Sequence, residues 1–117
     1  ITELLPNQNP LGKFSFSCCG DQVFVKELKA LDRKNMLVTG IEAHVCVYQT
    51  AADLVDLNYN VQVVADAVAS RTAENKHIGL ERSKEAGAGL TSTETVLFEL
   101  LKVAEGDTFK QIIKIVK

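Results

Sequence analysis

Met36-Leu-Val-Thr-Gly-Ile-Glu-Ala-His-Val-Cys46 decides the fold: an apolar run ends at Gly40, and a polar turn leads from it into a helical pattern. A continuous run such as Met36–Thr39 suits a strand covered on both faces of a parallel sheet. Beyond it, Val47, Ala51, Leu54, Val55 and Asn58 form one mainly apolar stripe. That spacing predicts a helix over Val45–Asn58, stopped by Asn58-Tyr-Asn60. The same alternation recurs downstream. Val61–Ala65 reads as a second buried strand, Thr72–Glu85 as a helix through Ile78 and Leu80, and Ala88–Thr91 as a third strand after the Gly87 turn. Strands alternating with helices across short turns predict an α/β class, with a parallel sheet and helices on its faces.

The flanks are less regular. Pro6, Asn7, Asn9, Pro10 and Gly12 crowd turn formers into residues 1–12, which predicts a loop. Lys13-Phe-Ser-Phe-Ser17 alternates as a short strand would, with Phe14 and Phe16 on one face and Lys13 among the polar set. After the Gly20-Asp21 start signal, Phe24, Val25, Leu28 and Leu31 recur at helical spacing. Thr91-Ser-Thr-Glu94 fits a capping box for a helix through Val96, Leu97, Leu100 and Leu101, which Gly106-Asp107 is expected to end. Phe109, Ile112, Ile113 and Val116 mark a last helix.

With 117 residues the chain has the size of one domain, and 46% apolar residues suffice for a core. A net charge of −2 offers no general field for a phosphate backbone, so nucleic acid is not an expected partner. The apolar runs fall short of the ~20 residues a bilayer core requires, so no membrane span is expected. Three cysteines, two of them adjacent at Cys18 and Cys19, predict a reducing compartment, the cytoplasm. No signal-peptide pattern follows Ile1, and the chain is expected to begin upstream of it.

In an open α/β sheet, sites lie beyond the carboxyl ends of the strands, which points to the turns after Thr39, Ala65 and Thr91. The first places Cys46 at or near the first turn of a helix. Unpaired amide N–H groups and the positive end of the helix dipole meet there, and both favour a thiolate. Those N–H groups are also suited to an oxygen that turns negative when a carbonyl is attacked. The plain alternative is packing, because free cysteine is among the most buried residue types. Cys18 and Cys19 have no such location and are expected to be inert. His44, two residues before Cys46, does not share its helix face and is expected to wall the pocket. By spacing alone Lys13 is a surface charge and His77 is solvated. Asp66 is expected to bind amides at a helix start, and Ser92, Thr93 and Glu94 to cap. No Gly-x-Gly-x-x-Gly, Gly-Lys-Ser/Thr or Gly-x-Ser-x-Gly motif and no Cys/His array occurs, so neither cofactor nor metal is expected.

Thr39-Gly-Ile-Glu-Ala-His-Val-Cys-Val-Tyr-Gln-Thr-Ala51, Val64-Ala-Asp-Ala-Val-Ala-Ser-Arg71 and Thr91-Ser-Thr-Glu94 resemble the isochorismatase-like cysteine hydrolase superfamily, and Lys13–Ser17 is similar to its lysine-bearing strand. The resemblance implies a three-layer α/β/α, Rossmann-like fold with a parallel six-stranded sheet and a triad of aspartate, lysine and cysteine. Cys46 matches the nucleophile and Lys13 the lysine. A cis peptide is implied between Ile41 and Glu42, with the N–H groups of Glu42 and Cys46 as the oxyanion hole. The aspartate of the family lies on a first strand upstream of anything matched here. Residues 1–117 then correspond to the C-terminal two-thirds of a complete domain, with Met36–Thr39 left as an apolar edge strand. The metal-binding Asp/His cluster of nicotinamidases is not among these residues. The implied activity is hydrolysis of a small amide or related carbonyl compound through a thioester, by a homo-oligomer. The alternative is a non-catalytic oligomeric binding or scaffold relative.

Overall fold

The computed structural model describes residues 3–116, and three parallel strands lie at its centre in the order β1-β2-β3: β1 is Asn35–Ile41, β2 is Asn60–Ala69 and β3 is Gly89–Thr91. Helix α1 (Gln22–Ala30) precedes β1. A π-helical turn over Ala43–Val47 runs straight into α2 (Tyr48–Asp56) between β1 and β2. Helix α3 (Ala73–Glu85) joins β2 to β3, and α4 (Thr93–Leu101) and α5 (Gly106–Val116) close the chain. This is the expected α/β architecture, with each strand longer or shorter by a few residues than its apolar run.

β2 is the central strand, and consecutive Val63 and Val64 are both buried, which requires cover on both faces. Val61, Val63 and Val68 join Ala43, Val47, Ala51, Leu54 and Leu28 in one core on the α2 side. Val64 faces the other way, toward Val96 and Leu97 of α4. Three layers result. Among the described residues β1 pairs only with β2, and its Leu37 and Ile41 are more than half exposed. The register is not uniform: where β1 advances from Val38 to Gly40, β2 advances from Val63 to Val68. Such a bulge re-aims side chains. Here it contains Asp66, whose Oδ1 accepts the N–H of Thr93 at 2.8 Å and its hydroxyl at 3.1 Å. Those bonds tie β2 to the start of α4. The Thr93 N–H above all holds the Asp66 carboxyl below its ordinary range.

Helix starts follow local chemistry. Asp21 Oδ1 accepts from Val23 and Phe24 at the head of α1, and Thr72 Oγ1 accepts from Asn75 at the head of α3. Three expectations change. The cap of α4 is Ser92, whose Oγ accepts the Thr95 N–H at 3.1 Å, so the box is one residue later than Thr91-Ser-Thr-Glu94. Thr91 is still in β3, with its hydroxyl buried and unpartnered. Gly106 begins α5; α4 already ends at Leu101, where Lys102 takes a positive φ. Lys13–Ser17 is not a strand. Ser15 Oγ donates to the Ser17 carbonyl and Ser17 Oγ accepts from Cys19, so side chains compete for the backbone and bend it. Phe14 and Phe16 are left exposed.

Candidate functional site

The carboxyl end of β1 leads through Gly40, at φ 112°, to a cis Ile41–Glu42 peptide bond and then the π-helical turn. Val45 and Val47 both donate to the Glu42 carbonyl, at 3.1 and 3.2 Å, and the Cys46 N–H between them does not. Wide π turns of this kind occur frequently at functional sites. Ala43 and Val47 point into the core, which turns the half-buried Cys46 toward a cleft of about 130 Å³.

Lys13, Cys18 and Thr50 line that cleft together with Cys46, over a floor of Val38, Thr39 and Ile41 from β1. Lys13 arrives from an irregular segment that two hydrogen bonds fasten to α2. Ser17 Oγ donates to Asp53 Oδ2, and the Cys18 N–H donates to Thr50 Oγ1 at 2.9 Å. The Lys13 ammonium is itself oriented by the carbonyls of Ser15 at 2.7 Å and Phe16 at 2.9 Å. Sequence separates Lys13 from Cys46 by more than thirty residues; one small cleft unites them.

His44 does not line this cleft, contrary to its expected place on the pocket wall. Its Nδ1 lies 3.1 Å from Ser70 Oγ and 3.7 Å from Glu42 Oε2. The Glu42 carboxylate in turn takes the Arg71 backbone N–H at 3.2 Å and the Arg71 guanidinium at 3.1 Å. The Arg71 N–H, more than its charge, holds the Glu42 carboxyl below its ordinary range, and His44 adds to the effect. This clamp fixes the residue that leads into the turn that carries Cys46.

Sequence reasoning passed over two cleft residues. Thr50 stands one helical turn after Cys46 on the same face, a spacing that was available as a signal. Cys18 was grouped with Cys19, but the two diverge. Cys19 lines a separate hollow beside Gln22, Val25 and Lys26. Burial first, then the Asp53 charge, pushes its thiol up from the ordinary value. A neighbouring hollow of about 240 Å³ shares Lys13 and Cys18 and adds Asp21, whose carboxylate is committed to capping α1. A larger hollow of about 510 Å³ beside α1 carries Glu27 and no nucleophile, so chemistry rather than size selects the Cys46 cleft.

An isochorismatase domain matches residues 2–95 of the chain. A secreted isochorismatase effector from Phytophthora sojae is 48% identical over 85 residues, covering 73% of this chain and 40% of that protein. Among solved structures, a ribonuclease from Caenorhabditis elegans is 38% identical with a TM-score of 0.77, over 89% of this chain and 53% of its own. YcaC from Pseudomonas aeruginosa, with hexane-2,5-diol and covalent acrylamide, is 25% identical with a TM-score of 0.85, over 96% of this chain and 57% of its own. The chain thus spans about half the length of the proteins it matches. With the domain match covering most of its residues and the same fold in its structural neighbours, the chain belongs to the isochorismatase domain family.

Proposed function

We propose that this chain carries the nucleophile and the lysine of a cysteine hydrolase that acts on a small amide or related carbonyl compound. The observation that carries the reading is the shared cleft: Cys46 and Lys13 line one hollow of about 130 Å³ at the carboxyl end of β1. In the proposed reaction the Cys46 sulfur attacks the carbonyl carbon, and the oxygen that turns negative is held by the N–H groups of Glu42 and Cys46. The Lys13 ammonium adds a positive charge on the same side. The amine leaves with a proton, a thioester remains on Cys46, and water then releases the acid and regenerates the thiol. The base that takes the proton from water is not assigned to a residue of this chain. Covalent acrylamide in YcaC, an electrophilic alkene held on a relative of the same fold, supports a reactive nucleophile there.

Three free thiols support a reducing compartment, and we place the protein in the cytoplasm. We also propose a homo-oligomer, supported by exposed Leu100, Val103 and Ile115 on α4, α5 and their connection. A stable monomer in sedimentation at micromolar concentration refutes that assembly.

The likeness to a ribonuclease favours a second reading, cleavage of RNA. Against it, the cleft offers one cation, Lys13, which already donates to two carbonyls. Iodoacetamide at mildly acidic pH tests the first reading directly: Cys46 is expected to be alkylated far faster than Cys18 or Cys19. Equal rates at all three overturn it. Loss of amide hydrolysis in Cys46→Ala, with an RNA oligonucleotide left intact by the parent protein, separates the two chemistries.

A further inference from the structure

We propose that Cys46 and Cys18 are a peroxide-responsive pair, which a hydroperoxide converts into a reversible disulfide across the cleft. The inference goes beyond the hydrolase reading but rests on the same reactive thiol. Two free cysteines from different elements face one hollow, Cys46 from the π turn and Cys18 from the Cys18–Gly20 turn. The hollow they share, about 130 Å³, is smaller than its neighbours of about 240 and 510 Å³, and Thr50 lines it with them. The Cys18 backbone is moored to Thr50, one helical turn from Cys46 on the same face. A disulfide needs Cα atoms about 4.4–6.8 Å apart, a span on which formation of the cross-link reports directly.

The chemistry balances with the peroxide as oxidant. The Cys46 thiolate attacks one peroxide oxygen, the O–O bond breaks, and hydroxide (or an alkoxide) leaves. Cys46 is oxidised to a sulfenic acid while the peroxide is reduced. The Cys18 sulfur then attacks the Cys46 sulfur; the S–O bond breaks, an S–S bond forms, and the hydroxyl leaves as water with the Cys18 proton. A dithiol reductant reverses the step. The nucleophile is thereby blocked, yet kept from the irreversible sulfinic and sulfonic states. Cys19 is excluded as the partner by direction, since it lines the hollow on the α1 side. Its raised thiol pKa is consistent with that exclusion.

The test treats the reduced full chain with a small excess of hydrogen peroxide and maps it without reduction by mass spectrometry. The expected product is a cross-link between the tryptic peptides Phe14–Lys26 and Asn35–Arg71, within one chain, reversed by dithiothreitol. Cys19→Ser is expected to form it equally. Cys18→Ser is expected to lose it and to accumulate a dimedone-reactive sulfenic acid at Cys46 instead. A cross-link that survives in Cys18→Ser, a sulfenic acid that persists at Cys46 in the parent protein, or a Cys46 untouched by peroxide overturns the proposal. Because iodoacetamide selectivity is measured on the reduced protein, it stands or falls separately from this pairing.

Discussion

Replacing Gly79 by alanine puts two opposing effects of known size against each other. Gly79 lies inside α3, where alanine ordinarily gains about 1 kcal/mol over glycine through helix propensity. On that basis alone Gly79→Ala is a stabilising change. The structure predicts the reverse. A Cβ at position 79 would overlap the backbone of Ala43 and His44, in the turn that carries Cys46. Backbone cannot swing aside as a flexible side chain does. The turn is also pinned from behind by fully buried Ala43 and by Val47, and on the α3 side Ser83, one turn after Gly79, is fully buried as well. Neither partner yields cheaply. Overpacking of this kind costs ~1–3 kcal/mol and occasionally more, and contact with backbone falls at the upper end. A net loss of about 2 kcal/mol remains after the propensity gain. For a chain of this size 1 kcal/mol shifts Tm by roughly 4 °C, so a fall of about 8 °C is expected.

Thermal and urea unfolding measure the loss, with Gly12→Ala as a control, since a Cβ there meets nothing within 4 Å. The same variant is expected to slow iodoacetamide at Cys46 relative to Cys18, because the displaced turn is the one that aims the thiol. A Gly79→Ala protein as stable as its parent refutes the close approach of α3 to the turn, and with it the account of how Cys46 is held.

Three further variants have expected outcomes. Glu42 is held as a carboxylate below its ordinary value of 4.5 by the Arg71 N–H and guanidinium, so its contribution to stability is present above that value and lost as pH falls through the lowered one. Urea midpoints of Glu42→Gln and its parent should therefore differ at about neutral pH and converge in acid; parallel pH profiles would remove the clamp. At the head of α4, Ser92→Ala should lose about 1 kcal/mol of stability with the Thr95 N–H left uncapped. Thr91→Val should be neutral or stabilising, because it deletes a buried hydroxyl that has no partner. The opposite order in urea unfolding would restore the earlier capping box.

How far the sequence discloses this molecule depends on which force sets each part. Burial sets the strands and helices, and burial leaves periodicity: Val61, Val63 and Val64 announce a strand covered on both faces, and Val47, Ala51 and Leu54 announce a helix packed on it. Periodicity fails where hydrogen bonds decide. Phe14-Ser-Phe-Ser17 has the alternation of a strand, but Ser15 and Ser17 bond to nearby backbone and to Asp53, and no strand among the described residues pairs with it. The π turn is invisible for a related reason, since one bond reaching five residues back instead of four leaves the apolar stripe of the following helix unchanged.

The candidate site falls on both sides of that divide. Cys46 is legible because a strand end and a helix start define its place. Its companions in the cleft are delivered by Ser17 to Asp53 and by the Cys18 N–H to Thr50, bonds that span 36 and 32 residues. Polar side chains of this kind sit between the apolar positions that periodicity counts. Removing either bond should therefore leave the sheet intact while detaching Lys13 from Cys46. In this chain the fold is a property of the hydrophobic pattern, and the cleft is a property of a few hydroxyls that the pattern does not register.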